Sequence, residues 1–175
     1  MEDILEVIVS RRSVKSFKPD MVEKEKIDKV LKAGICAPSG KNQQSSIIIA
    51  VTNKMVRDKL SNLCSQVRGG LSVDPFYNAP VVLVVLSNKN VFTHVYDGSC
   101  VLENMLLEAH SIGLGACWIH HAKEMFDTIE GKEILTSLGI NADEYEGVGS
   151  CVLGYPKTIP HGEIKRKDNY VYYVE

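Results

Sequence analysis

The sequence predicts a single domain that contains both helices and strands. Its 175 residues are enough for one sizeable hydrophobic core and too few for two ordinary domains. Hydrophobic residues make up 45% of the chain and charged residues 24%, as in ordinary globular proteins. Apolar residues recur at helical spacing in several stretches, whereas residues 81–86 form a short β-branched run. These patterns together indicate a domain of mixed helices and strands.

Two helices are predicted before the first strand. In the first helix, Ile4, Leu5 and Ile8 recur at helical spacing. The second helix covers residues 23–33, where the apolar side chains form one stripe, and Gly34 follows as a stop.

The middle of the chain predicts two strands separated by a helix. Residues 37–44 are rich in turn formers and lead into the apolar residues 47–51, which we interpret as a buried strand. Residues 56–67 keep an i, i+4, i+7 apolar pattern until a glycine pair follows, and they predict a helix. Residues 81–86 are entirely apolar and too short for a typical helix. We therefore expect a strand covered on both faces at the centre of the sheet.

The second half of the chain repeats this alternation. Residues 95–112 carry a wide apolar stripe and predict a mostly buried helix, which Gly113 ends. Residues 116–119 predict a short strand, and residues 126–138 have a weaker helical pattern. Residues 148–153 predict another strand.

The C-terminal tail, about residues 157–175, has a different character. It is polar and basic as far as Asp168, whereas residues 170–174 have a strand-like composition. No segment nearby in the sequence offers a strand to pair with it. We therefore expect the tail to dock on another surface.

Charge and cysteine content favour a cytoplasmic protein. The net charge of -2 gives no general attraction to nucleic acid or to an anionic membrane, so we expect neither as a partner. The five cysteines include no CxxC pair and no disulfide-framework spacing, which suits a reducing cytosol. The first residues are acidic rather than basic, and no apolar run approaches the roughly 18 residues of a membrane span. We expect neither secretion nor membrane insertion.

A basic segment, residues 11–18, directly follows the first predicted helix. It places four cations and two hydroxyls in eight residues: Arg11, Arg12, Ser13, Lys15, Ser16 and Lys18. One interpretation is phosphate binding. The other is that the arginines complement the helix C-terminus and Lys18 is solvated. A basic tail cluster, Lys165, Arg166 and Lys167, lies near the other end of the chain, and chain ends are often close in space. The two clusters could therefore hold one phosphate together.

A polar loop, residues 37–44, precedes the first strand. Its hydroxyls, amides and backbone donors suit the polar edge of a ring, although the same composition is also typical of an ordinary turn.

Other motifs do not carry a function. Cys117, His120 and His121 lack a second ligand pair at metal spacing, so we predict no metal site. The glycines at 113 and 115 follow a helix rather than a strand and lack the third glycine of a dinucleotide fingerprint. No nucleophile elbow or Walker loop is present, so nothing indicates hydrolysis.

Six motifs follow one another in a specific order along the chain. They are residues 11–17, 37–44, 76–85, 103–107, 113–119 and 153–156. Their order resembles the nitroreductase-like family of flavin mononucleotide (FMN) dependent oxidoreductases, from near residue 4 to the C-terminus. One departure concerns the second motif, where Ser45 and Ser46 follow Gln44 in place of the usual proline and aromatic residue.

The resemblance implies an α+β fold with three layers, in which a mixed, mainly antiparallel central sheet is flanked by helices. It implies one FMN-binding domain over residues 1–175 and an obligate homodimer with two FMN molecules at the interface. The helix around Met105 would be the central dimer helix. The tail would embrace the partner subunit, which would give residues 170–174 a strand to pair with.

The resemblance also implies roles for particular residues. Arg11, Arg12 and Ser13 would bind the flavin phosphate and ribityl chain, with Lys15 near the pyrimidine edge of the ring. Either Lys165 or Arg166 would close on the phosphate, which leaves the choice between them open. The remaining positions would surround the ring: Pro38, Ser39 and Gly40 from the partner subunit, Asn42 and Gln44 as amide hydrogen-bonders, and the backbone of Ile119, His120 and His121 at the redox-active centre.

The implied activity is transfer of hydride from NAD(P)H to a small conjugated acceptor, such as a nitroaromatic or quinone, by a ping-pong mechanism. No catalytic side chain is assigned, because the cofactor carries the reaction and the protein supplies orientation and field. Three alternatives stay open. They are the same flavin with another outcome (dehalogenation, flavin fragmentation or enoyl-type reduction), a flavin-binding sensor without turnover, and a plain anion-binding module.

Overall fold

The computed structural model describes residues 3–162 and 164–175. Its helices are α1 (Ile4–Ser10), α2 (Lys24–Ile35), α3 (Lys54–Val67), α4 (His94–Ser111), α5 (Ala122–Asp127) and α6 (Ile129–Ser137). Its strands are β1 (Ser46–Val51), β2 (Val81–Asn88), β3 (Gly115–Ile119) and β4 (Tyr145–Gly154).

The described strands form one sheet in the order β1-β2-β4-β3, and neighbouring strands are antiparallel. Residues 81–86 of β2 are fully buried, which confirms the strand predicted at the sheet centre. A parallel contact between Ser13 and Ala116 extends the sheet beyond β3. The sheet is therefore mixed and mainly antiparallel.

Helices cover both faces of the sheet, because each face carries apolar side chains that must be buried. On one face, α4 contacts β2, β3 and β4, and α2 packs on α4. On the other face, α3 contacts β1, and α5 contacts β4 and β2. Two clusters of buried side chains fill the space between these layers. The predicted three-layer α+β fold is confirmed.

Two details of the predicted helices were wrong. Gly34 was expected to stop the second helix, but it lies inside α2 and is buried. A Cβ at this position would lie 2.9 Å from Cγ of Met105 and 3.0 Å from Cδ1 of Ile48, so the glycine permits close packing of α2 on α4. The helical pattern of residues 126–138 is also divided, since Thr128 separates α5 from α6 and its Oγ1 accepts a hydrogen bond from the backbone N–H of Gly131.

Helix α1 and the last residues of the tail are exposed. Helix α1 buries none of its residues, and Ile4, Leu5, Ile8 and Val9 face solvent. Residues 170–174, predicted to be strand-like, form no strand within the described chain, and their side chains are exposed.

Two further expectations concern the cell compartment. The five cysteines are free thiols. Among the described residues, no helix combines the length and apolar character needed to cross a membrane.

Gly147 yields a prediction about the packing of β4. A Cβ here would overlap the backbone of Ala122 and Lys123, at the start of α5, so the contact cannot relax by moving a flexible side chain. We expect Gly147→Ala to lower the free energy of unfolding by about 1–3 kcal/mol. Urea unfolding measures the change, with Glu133→Ala at an exposed position of α6 as the control. Equal stability of the two variants would contradict this account of the β4–α5 contact.

Candidate active site

The basic segment, residues 11–18, contacts the open edge of β3 at Ser13 and Val14 and pairs at Phe17 with Pro156, just after β4. Its register is set by Val14, whose backbone N–H donates to the carbonyl of Ala116 at 2.9 Å and whose side chain is buried. Ser13 and Lys15, on either side of Val14, are exposed. The extended backbone thus turns these two polar side chains away from the core, to the same side.

The charges of the basic segment also affect the pKa of the Cys117 thiol on β3. Burial raises the pKa of Cys117, and a hydrogen bond with Ser13 and the positive charges of Lys15 and Arg11 act in the opposite direction. Arg11, Ser13 and Lys15 therefore lie around one patch of β3, as a shared anion site requires.

Arg12 has a different setting. Its Nη1 donates to the carbonyls of Val9 at 2.8 Å and Arg11 at 2.9 Å, and its Nη2 donates to the carbonyl of Gly162 at 2.9 Å. A guanidinium has five N–H donors, so these contacts leave donors for an anion while fixing the direction of the side chain. Arg12 thus ties the basic segment to the tail.

The tail is anchored at its root. The backbone N–H of Lys157 donates to Ser16 at 2.9 Å, and that of Lys18 donates to Tyr155 at 2.8 Å. The hydroxyl of Tyr155 donates to Glu23 at 2.5 Å and accepts from Nζ of Lys26 at 2.6 Å, which lies 4.7 Å from the ring centroid. The tail therefore leaves the domain beside the basic segment.

The basic tail cluster follows directly on this anchored root. Lys165 comes three residues after Gly162, so its Cα lies within about 11 Å of that of Gly162. Lys165 and Arg166 are exposed. The fold therefore brings the basic tail cluster within reach of the basic segment, although the two lie at opposite ends of the chain.

The polar loop, residues 37–44, is held by a buried carboxylate in the first turn of α4. Asp97 is only 5% exposed. It accepts hydrogen bonds from the backbone N–H of Gly40 at 3.0 Å and from the hydroxyls of Ser45 at 2.7 Å and Thr93 at 3.1 Å. Burial alone would raise its pKa, but these hydrogen bonds outweigh burial and the pKa is lowered.

The backbone of the polar loop has φ angles that are uncommon for residues other than glycine. Lys41, Asn42 and Gln44 have positive φ angles, and the backbone N–H of Gln44 donates to Oγ of Ser39 at 3.0 Å. The side-chain amide of Gln44 donates to Oδ1 of Asn42 at 3.3 Å. The two predicted amide hydrogen-bonders thus contact each other at the loop surface, where both are exposed.

The two serines that depart from the family motif have structural partners. Ser45 bonds to Asp97, and Oγ of Ser46 lies 2.7 Å from Oγ of Ser87 on β2. They connect the polar loop to α4 and to the central strand. A cleft of about 420 Å³ lies beside this loop; α2, the polar loop, β1 and α4 line it.

The third predicted group lies at the end of β3. Ile119 is buried, His120 is exposed, and His121 caps α5. Within the described residues, Nδ1 of His121 is buried without a hydrogen-bond partner, since the nearest carboxylate oxygen, of Glu124, is 3.6 Å away. The described residues contain no group of three or more His, Cys, Asp or Glu side chains placed to hold an ion.

The strand order separates the predicted site residues into two groups. The basic segment and Ile119 to His121 lie at β3, whereas the polar loop leads into β1 at the opposite edge. Three inter-strand spacings of about 4.8 Å put these edges roughly 14 Å apart, before side chains are counted. One copy of the chain does not bring the two groups together.

Comparison with known proteins shows the family. A sequence model of the nitroreductase family matches residues 8–68 and 67–155. The chain belongs to the nitroreductase family. Two archaeal relatives each carry the provisional name NADH dehydrogenase/NAD(P)H nitroreductase. The protein of Methanothermobacter thermautotrophicus is 32% identical over 162 residues, covering 90% of this chain and 80% of that protein. The protein of Archaeoglobus fulgidus is 31% identical over 163 residues, covering 90% and 87%.

Solved nitroreductases share the whole fold. The nitroreductase of Bacteroides fragilis with bound FMN superposes with a TM-score of 0.90 at 26% identity, covering 100% of both chains. That of Desulfitobacterium hafniense, also with bound FMN, gives a TM-score of 0.87 at 25% identity, again covering 100% of both.

The sequence did not identify two residues of the site, Asp97 and Tyr77. Asp97 gave no signal of its own, because an acidic residue in the first turn of a helix is already explained by the helix dipole. Tyr77 stood in the third motif, but nothing in the sequence placed its ring within 5.9 Å of Nζ of Lys15.

Asp97 yields a prediction with a pH dependence. We expect Asp97→Asn to lose about 1–3 kcal/mol of unfolding free energy at neutral pH, because an amide cannot accept all three hydrogen bonds. The lowered pKa means that the carboxylate stabilises the fold fully above its ordinary pKa of about 3.9, and that this stability is lost as pH falls through the lower folded value. The difference between wild type and variant should therefore shrink below about pH 4.

Chemical unfolding at a series of pH values measures this difference. The control is Asp28→Asn at an exposed position of α2, where the carboxylate pairs with Lys24 one turn earlier. We expect this substitution to cost about 0.5 kcal/mol or less. A constant gap between wild type and Asp97→Asn across the acid range would show that the charge of Asp97 does not hold the loop.

Proposed function

We propose that this protein is an FMN-dependent oxidoreductase that transfers hydride from NAD(P)H to an electron-poor acceptor, such as a nitroaromatic or a quinone, by a ping-pong mechanism. We further propose that it works as a homodimer in the cytoplasm. Family membership and the FMN bound in the B. fragilis and D. hafniense nitroreductases support the cofactor. The names of the archaeal relatives support NAD(P)H as the donor.

One observation carries the proposal: the fold gathers the cations and hydroxyl of the basic segment at one edge and leads the basic tail cluster back to them. FMN needs a cationic site for its phosphate and hydrogen-bond donors for its ribityl chain and ring edge. Arg11, Ser13 and Lys15 supply cations and a hydroxyl around one patch of β3. This donor set fits the cofactor.

The phosphate would be held by Arg11 and Arg12, with Ser13 toward the ribityl chain. Arg12 is already oriented by its bonds to Val9, Arg11 and Gly162, so little side-chain freedom would be lost on binding. Lys165 or Arg166 would close on the same phosphate from the tail.

The redox chemistry is the cofactor's own, since a bound flavin accepts hydride and passes it on. Lys15 would supply a positive charge at the pyrimidine edge, where negative charge accumulates during that transfer. The backbone of Ile119, His120 and His121 would line the ring. No side-chain acid or base is assigned, because the protein's part is to orient the reactants and exclude water.

A second subunit would complete the site. Because the polar loop lies at the opposite sheet edge, Pro38, Ser39, Gly40, Asn42 and Gln44 would reach the ring from the partner. The chain has exposed apolar surface for such a dimer. Helix α4 leaves Val95 and Tyr96 exposed, α1 leaves Ile4, Leu5, Ile8 and Val9 exposed, and residues 170–174 of the tail are exposed. The tail would embrace the partner and pair there as a strand.

The phosphate assignment is tested by Arg11→Ala combined with Arg166→Ala. Each substitution removes a charge-assisted contact of about 1.5–3 kcal/mol, so we expect FMN affinity to fall roughly 100-fold or more. Flavin fluorescence titration of the apoprotein gives the dissociation constants. Lys29→Ala, which removes an exposed cation from α2, is the control and should bind as wild type. Unchanged affinity in the double variant would remove the phosphate site from this segment.

Subunit complementation tests the divided site. One chain carries Arg11→Ala with Arg166→Ala; the other carries Gly40→Val, whose Cβ would overlap the side chain of Thr93 and displace the polar loop. In a mixed dimer, one site would combine both intact groups and the other site both altered groups. We expect mixed dimers to bind about half the FMN of the wild type with wild-type affinity, while each variant alone binds weakly. Mixed dimers as weak as both parents would place the whole site within one subunit.

A further inference from the structure

Tyr77 lies beside Lys15 in a segment that the proposed function does not use. Nζ of Lys15 lies over the Tyr77 ring, 5.9 Å from its centroid, within the range of a cation–π contact. Lys15 is otherwise an exposed side chain on the edge of the domain, whereas Tyr77 is half-buried against the core. The ring is therefore the fixed partner and the lysine the mobile one.

The backbone of Tyr77 is held in an unusual conformation. Tyr77 and Asn78 both have left-handed φ angles, 55° and 58°, which are uncommon for residues other than glycine and cost energy unless the surroundings enforce them. Asp74 enforces them. Its carboxylate accepts hydrogen bonds from the backbone N–H groups of Phe76 at 3.0 Å and Asn78 at 2.6 Å, one on each side of Tyr77.

Asp74 is itself fixed by α3. Arg57 forms an ion pair with it, and Oγ of Ser61 donates to it at 2.5 Å. Arg57 is buried, and its Nε also donates to the carbonyl of Ala79 at 3.0 Å, just before β2. A buried ion pair thus clamps both ends of the turn that carries Tyr77.

From this geometry we propose that Tyr77 is a positioning residue for Lys15. Its ring face holds the ammonium group beside the cofactor ring, and the Asp74–Arg57 pair holds Tyr77 in the backbone conformation that makes this possible. This proposal rests on the proposed function, because it assigns Tyr77 to the charge that Lys15 supplies there. Without the ring, Lys15 turns toward solvent, and the cofactor loses part of its stabilisation in the reduced state.

The test is the midpoint reduction potential of FMN bound to the full-length protein. Lys15→Met, which removes the charge, sets the reference, and we expect it to shift the potential to more negative values. Tyr77→Leu should shift it in the same direction by a smaller amount. Tyr77→Phe keeps the ring face and should leave the potential at the wild-type value. Tyr77→Asn is a second ringless variant, since asparagine tolerates left-handed φ angles.

The outcomes separate this inference from the proposed function. If Lys15→Met shifts the potential while neither Tyr77→Leu nor Tyr77→Asn does, Tyr77 does not position the lysine and the inference is wrong. A shift in Tyr77→Phe as large as in Tyr77→Leu would also overturn it, because the hydroxyl rather than the ring would then be responsible. If the wild-type protein binds no FMN, the proposed function itself fails. Thermal unfolding of each apoprotein identifies any variant whose packing has changed.

Discussion

The burial of β2 is the constraint on which the rest of this structure depends. A strand that is apolar on both faces must have helices above and below it and a strand on each side. With β1 on one side and β4 on the other, β3 is left at the far edge. That order fixes where the polar segments emerge, and it places the polar loop and the basic segment on opposite flanks of the domain. The polar groups of the candidate site therefore lie in two sets, one at each edge of the sheet.

Much of the fold could be predicted from the sequence, because the strongest patterns arise from burial. The apolar run at residues 81–86 and the stripe on α4 are visible in one dimension, and the structure confirms both. Gly34 shows the limit of this reasoning. Glycine is favoured after a helix for its backbone freedom and inside a helix for close packing, and only the position of Met105 distinguishes the two uses.

The candidate site was less accessible to sequence reasoning. The types of residue that bind phosphate were evident in the basic segment, but their distances from the tail depend on long-range contacts such as that between Arg12 and Gly162. Asp97 illustrates the difficulty further. Its three hydrogen-bond donors lie between four and 57 positions away along the chain, so no local sequence pattern predicts the role of Asp97. Side chains that organise a loop are invisible until the fold brings their partners together.

The anchorage of Tyr155 limits how far the tail can extend from the domain. Glu23 and Lys26 fix the root of the tail, and Arg12 holds the chain again at Gly162, so Tyr173 lies within roughly 40 Å of Gly162 even at full extension. A short tether confined to one side of a molecule samples a small volume. Its aromatic end is thus kept at high local concentration near whatever surface that side presents, and the entropy lost on docking is reduced accordingly.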